Sequence, residues 1–197
     1  ARLNINGNMV ATRAVPVVSI GKALVQVPPG SFLQATKAGE EALVNLVLVS
    51  LAKSKSVADL FCGVGPFALR IAERAKVTAI DSDKPAIASL AQAVRLTTGL
   101  KPLKAEVRDL MREPLVANEL KEFDAVVFDP PRAGAEVQAR QLAKSTVKTI
   151  VAVSCDPASF ARDAEILVGG GYKLKSLTAV DQFKWTSHVE IVGTFSR

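Results

Sequence analysis

The chain has 197 residues, of which 49% are hydrophobic and 22% charged, with a net charge of +6. That length fits one α/β domain with a small appendage, since domains run to roughly 100–200 residues, and the composition argues against long disorder, collagen-like repeats and coiled coils. No apolar run reaches the ~18 residues needed to span a bilayer; the nearest, 42–52, carries Asn45.

The first 35 residues differ from the rest. Residues 15–20 and 23–27 are short β-branched runs around Gly21-Lys22, which read as a hairpin, and Pro28-Pro29-Gly30 then breaks the chain. The expected division is a short β-rich segment over 1–35 and a main domain over 36–197. The main domain alternates regularly. Helical spacing of Leu43, Leu46 and Val47 predicts a helix over 36–52, with Glu40-Glu41 near its start, where the helix dipole favours acid. Strands are predicted at 56–61, 77–81, 103–107, 123–129 and 149–154. Helices are predicted between them at 66–75, 84–97 and 137–145, and after them at 157–168, where Gly169-Gly170-Gly171 ends the run. Two last strands, 172–180 and 190–195, have no helix between them and should pair antiparallel. Repeated strand–helix units imply an α/β fold, a mostly parallel sheet with helices on both faces, in which ligands bind beyond the carboxyl ends of the strands. Asp59, Asp81, Asp109, Asp129 and Cys155 all fall at such ends.

The first strand runs into DLFCGVGPF at 59–67, where Gly63 and Gly65 let the backbone pass close to a ligand. Asp81, at the end of the second strand, is placed to accept from ribose hydroxyls. Together they suit an adenosine-type cofactor, and a nicotinamide or flavin dinucleotide satisfies the loose pattern as well. Three features favour S-adenosylmethionine. Asp59 precedes the turn, where it can meet a cationic amino-acid group; Asp109 follows the third strand, where it can accept from an adenine amine; and an antiparallel sheet end does not belong to a standard dinucleotide fold. Cys62 reads as packing.

Asp129-Pro-Pro-Arg-Ala-Gly134 ends the fourth strand. Its prolines stiffen the turn that aims Asp129, and Arg132 is suited to a phosphate or a carboxylate. Asp-Pro-Pro after this strand is also found where planar nitrogen groups are methylated, so it leaves the acceptor atom open. SCDPASFARD at 154–163 ends the fifth strand. Cys155 precedes a proline-started helix whose N-terminus is expected to lower the thiol pKa. Arg162 and Asp163 read as helix-surface charges. His188 and Glu190 alternate by two and share a strand face, where a buried carboxylate can act as a base.

The remaining composition bounds the chemistry. Cys62 and Cys155 make no disulfide framework, and a single histidine leaves little for a structural zinc site. A reducing, cytoplasmic setting is the default, with no membrane association. Ala1 in place of Met reads as a processed or cut-down piece. The basic excess suits a polyanion such as nucleic acid, or is a plain solvated surface.

Taken together, Gly30-Ser-Phe-Leu-Gln34, DLFCGVGPF, DPPRAG, SCDPASFARD and the terminal SHVE resemble the S-adenosylmethionine-dependent RNA uracil-5 methyltransferases, in that family's order. The resemblance implies a Rossmann-like class I methyltransferase fold, with a seven-stranded, mostly parallel sheet and an antiparallel C-terminal strand. It implies Cys155 as nucleophile and Glu190 as general base. Gln34, Phe61, Asp81 and Asp129 would line the cofactor and substrate site, with Asp109 a looser match. The substrate implied is a uridine of rRNA or tRNA, in a loop or flipped from its stack, contacted by Arg132 and His188, with Phe183 or Trp185 available for stacking. Pro66 and Lys184-Trp185 depart from the family's usual residues, and two cysteines do not make the iron–sulfur site that some members carry. By this resemblance residues 1–30 are the tail of a central domain. The alternatives are a methyltransferase for an exocyclic amine, and a cofactor-binding fragment without independent activity.

Overall fold

The computed structural model describes residues 2–5, 8–183, 185–186 and 188–197. Lys184 and Ser187, singled out above, lie outside them. Two antiparallel hairpins come first: β1 (Arg2–Ile5) with β2 (Asn8–Thr12), and β3 (Val17–Ile20) with β4 (Ala23–Gln26). The second is the expected one. The first was missed, although Asn6-Gly7 in the sequence is a strong hairpin signal.

The main domain follows as α1 (Lys37–Ser50), β5 (Ser56–Leu60), α2 (Pro66–Ala72), β6 (Lys76–Asp81), α3 (Lys84–Leu96), β7 (Leu103–Val107), β8 (Ala125–Phe128), α4 (Glu136–Ala143), β9 (Thr149–Ser154), α5 (Pro157–Gly169), β10 (Lys173–Val180) and β11 (Glu190–Ser196). A short 3-10 turn, Glu119–Glu122, precedes β8. The helix starts are written in the sequence. Thr36, Asp83 and Asp156 cap α1, α3 and α5 by accepting from Gly39 N, Ala86 N and Ser159 N at 3.0, 3.1 and 2.9 Å. Each cap satisfies one of the four free N–H groups at a helix start. No described helix is long and apolar enough to cross a membrane.

The seven strands of the main sheet are ordered β10-β11-β9-β8-β5-β6-β7. Strands β5 to β9 run parallel, and β11 lies antiparallel between β9 and β10. Strand alternation divides the core in two. Val57, Val77, Val127 and Val153 face α1, α2, α3 and the β3–β4 hairpin, whose Ile20, Ala23 and Val25 are buried in the same cluster. Ala58, Ile80, Val126 and Ile150 face the other way, against Leu142 of α4 and Leu167 of α5. These central strands are buried on both faces, which is why they read as continuous apolar runs.

Register decides what shares an edge. Leu60 pairs with Ile80 and Phe128, and Phe128 with Ala152, so the carboxyl ends of the parallel strands are level. Because β11 runs the other way, with Ile191 opposite Ser154, its first residue arrives at that same edge. That residue is Glu190.

Candidate functional site

A cavity of about 490 Å³ opens along this edge, within the usual range for small-ligand sites. Of the residues expected there, Gln34, Phe61, Gly63, Asp81, Asp109, Asp129, Arg132, Cys155 and Glu190 line it. Asp59, Gly65 and His188 do not.

At the β6–β7 end the carboxylates are already engaged. Asp81 Oδ2 accepts from Gly63 N at 2.8 Å, and Oδ1 from Asp83 N at 2.8 Å, which ties the glycine turn to the end of β6. Asp109 Oδ1 accepts from Met111 N and Arg112 N at 3.0 and 3.3 Å. Leu110 and Met111 add apolar wall. Gly63 has φ +53, and a Cβ there would meet nothing within 4 Å, so its backbone is open to the cavity. Gly65, at φ +91, answers a different demand: its Cβ would lie 2.6 Å from Leu90 Cδ1, so it lets α2 pack on α3. Phe61 holds a left-handed conformation, φ 61, which costs a non-glycine residue about 1–3 kcal/mol and is a recurrent feature of ligand sites.

At the β8–β9–β11 end the titratable groups are not engaged. The side chains of Asp129 and Glu190 make no hydrogen bond among the described residues. Asp129 meets the cavity but is otherwise enclosed by protein, and burial first and Glu190 second push its carboxyl up to about 7. Burial also raises Glu190, which is 3% exposed. The Cys155 thiol departs from expectation: it lies above the ordinary thiol value, through burial first and then the Glu190 and Asp129 carboxylates. The start of α5 does not reverse this, because its dipole end is already met by the Asp156 cap. Arg132 lines the cavity mouth, 3.9 Å from Asp156.

Other expectations are corrected as well. Asp59 lies on the α1–α3 face of β5, fully buried, with both oxygens unpartnered, so it cannot touch a ligand in the cavity. Burial first and Asp129 second raise its carboxyl well above the usual range. His188 is exposed and lies edge-on to Phe183, ring centres 6.1 Å apart. Trp185 is wholly exposed. Asp163 is not a surface charge: it is buried and accepts from Ala135 N at 2.6 Å and from Arg162 Nη2 at 2.8 Å. Arg162 Nη2 in turn donates to Ala133 O at 2.9 Å. Together they clamp the loop after Asp129 to α5, the helix that follows Cys155.

Sequence reasoning missed Phe32, Leu33, Glu40 and Ser82 in the cavity wall. Glu40 had a signal. The buried stripe Leu43, Val44, Val47 and Leu48, extended back one turn, lands on it, an acid on an apolar face.

The model of the tRNA (Uracil-5-)-methyltransferase family matches residues 17–196. The chain belongs to that family. An uncharacterized RNA methyltransferase of Rhizobium meliloti is 51% identical over the whole chain, which spans 48% of that protein. The 23S rRNA (uracil(1939)-C(5))-methyltransferase RlmD of Chromohalobacter salexigens is 41% identical over 86% of the chain and 35% of that protein. Among solved structures, the tRNA (uracil-54, C5)-methyltransferase of Pyrococcus abyssi, in complex with S-adenosyl-L-homocysteine, superposes with TM-score 0.81 at 28% identity. That match covers 99% of this chain and 48% of that one. The chain thus spans about half the length of the curated relatives it matches first. As a member of the family it has the Rossmann-like methyltransferase fold, with β11 as the antiparallel C-terminal strand.

Proposed function

We propose that this chain carries the catalytic site of an enzyme that methylates C5 of a uridine in RNA, with S-adenosylmethionine as methyl donor and Cys155 as covalent nucleophile. The observation that carries this reading is the meeting of Cys155, Asp129 and Glu190 at one end of a cavity whose other end is built for a nucleoside.

The residues fit the donor. Five carboxylates (Glu40, Asp81, Asp109, Asp129 and Glu190) face the cavity against one guanidinium, Arg132. Such a wall attracts a cation and repels the pyrophosphate of a dinucleotide. Gly63 leaves room for close approach, and Asp81, held by two backbone N–H groups, retains lone pairs for ribose hydroxyls. When bound, S-adenosylmethionine supplies a methyl group on a sulfonium, an electrophile that departs as a neutral thioether.

Uracil C5 is a weak nucleophile, and the protein has to activate it. Cys155 loses its thiol proton to the neighbouring carboxylate pair, for which Asp129, near neutrality, is the matched acceptor. The thiolate adds to C6; the C5=C6 pair moves to C5 and O4, and C5 can then take the methyl group. Glu190 removes the proton left on C5. The C5=C6 bond re-forms, the S–C6 bond breaks, and its electron pair returns to Cys155. Covalent catalysis of this kind divides one hard step into easier ones. The base must leave its stack to enter the cavity, so an RNA loop or flipped nucleotide is the expected substrate. Arg132 at the mouth suits a phosphate, and the exposed Trp185 ring a neighbouring base.

The test is an RNA carrying 5-fluorouracil, incubated with the full-length protein and S-adenosylmethionine. Fluorine cannot leave C5 as a proton does, so a stable protein–RNA adduct should accumulate, and Cys155→Ala should abolish it. A methyl group found on an exocyclic nitrogen, with Cys155→Ala still active, would overturn the reading.

A further inference from the structure

Glu40 is the cavity carboxylate without a task in this reaction. It stands on the first turn of α1 and shares its stretch of wall with Gln34, Val64 and Pro66. Lys37 pairs with Glu41 instead, at 3.8 Å, and the Glu40 side chain has no hydrogen-bonded or ionic partner among the described residues. Burial is the main influence on its carboxyl and raises it.

Gln34 beside it has a fixed polarity. Gln182 Nε2 donates to Gln34 Oε1 at 2.9 Å, which leaves the Gln34 amide N–H groups as its free capacity. Gln182 can sit there because position 39 is glycine: a Cβ on Gly39 would come into collision with the Gln182 carboxamide. The residue just before Glu40 therefore makes room for the side chain that orients Gln34.

The order of groups along the sheet edge limits what these two can meet. Asp81, Asp109 and Met111 form the nucleoside end, and Asp129, Cys155 and Glu190 the reacting end; the glycine turn, faced by α1, lies between. A sulfonium has three branches. With the adenosyl branch toward β6 and β7 and the methyl toward the acceptor base, one branch remains, and its end is an α-amino-acid zwitterion. Asp59, the residue expected to meet the ammonium, is sealed in the core. We infer that Glu40 and Gln34 form the subsite for this end, Glu40 taking the ammonium and Gln34 the carboxylate, with Gln182 as positioning residue. The inference rests on the methyl-donor reading above.

Isothermal titration of the full-length protein with two ligands tests it. S-adenosylhomocysteine carries the amino-acid end; 5′-methylthioadenosine keeps the adenosine and the thioether but lacks it. Glu40→Gln should weaken S-adenosylhomocysteine about tenfold to a hundredfold, the range for a lost charge-assisted hydrogen bond, and leave 5′-methylthioadenosine unchanged. Gln182→Met, similar in volume, should cause a smaller loss of the same selectivity. Equal effects on both ligands, no effect on S-adenosylhomocysteine, or a wild-type protein that binds both equally would each overturn the subsite. A wild-type protein that binds neither would overturn the methyl-donor reading itself, and the subsite with it.

Discussion

The two ends of the cavity hold the same functional group in opposite states. At the β6–β7 end, Asp81 and Asp109 accept backbone N–H groups that hold them ionised and aimed. At the β8–β9–β11 end, Asp129 and Glu190 have no such donors and are raised by burial. Satisfied carboxylates can grip hydroxyls without titrating; unsatisfied ones near neutrality can move protons. One sheet edge thus separates binding from chemistry by where it spends its hydrogen bonds.

Mutations should respect that division. The largest effect is expected at Glu190→Gln: kcat should fall by about 10²–10⁴, the range for a lost general base, while binding of S-adenosylhomocysteine holds. The 5-fluorouracil adduct should still form, because C5 deprotonation comes after addition; absence of the adduct in this variant would place Glu190 earlier in the reaction. Asp81→Ala should act at the other end, weakening S-adenosylhomocysteine by about tenfold to a hundredfold through loss of charge-assisted hydrogen bonds. Calorimetry reads this directly, and an unchanged affinity would break the assignment of that end to the nucleoside.

The two glycines of the turn sharpen the same contrast. Gly65→Ala forces a methyl against Leu90 at φ +91 and should cost about 1–3 kcal/mol of stability in denaturant unfolding. Gly63→Ala meets open space, so its stability loss should be near 1 kcal/mol, while its methyl group intrudes on the ligand and lowers affinity. Loss of stability without loss of affinity at position 63 would count against a ligand there.

The smallest effect is a gain. The Asp129 carboxyl is raised to about 7, so the folded state favours its proton. The stability this confers is present below the ordinary carboxylate value and declines as pH rises toward neutrality. Asp129→Asn should therefore be more stable than the wild type at pH 8 by on the order of 1–2 kcal/mol, with little difference at pH 4, and with loss of turnover. It should also move the pH dependence of Cys155 alkylation by iodoacetamide downward, since one carboxylate that raises the thiol is gone. An unchanged alkylation profile would show that Asp129 does not act on the sulfur.

Much of this was legible in the chain. The alternation of apolar runs, the Thr36, Asp83 and Asp156 caps and the glycine turn state their structure locally, through spacing and hydrogen-bonding capacity that involve only near neighbours. Strand ends likewise located Asp81, Asp109, Asp129 and Cys155 correctly on the cavity. The failures have one cause. Asp59 follows the same local rule, yet strand alternation turns its side chain into the α1–α3 face. Asp163 looked like a surface charge because the loop that it clamps is 28 residues away in sequence. The Cys155 thiol was expected low from the helix that follows it, and is raised by carboxylates delivered by other strands.

Taken alone, the amino-acid order determined the kind of fold, the family resemblance and which residue types stand at strand ends, because periodicity, capping and turn chemistry act over a few residues. Tertiary structure decided which of those groups face one another. The insertion of β11 between β9 and β10 brings Glu190 beside Cys155, and burial then sets their proton affinities, since desolvation depends on everything packed around a group and not on its neighbours in the chain.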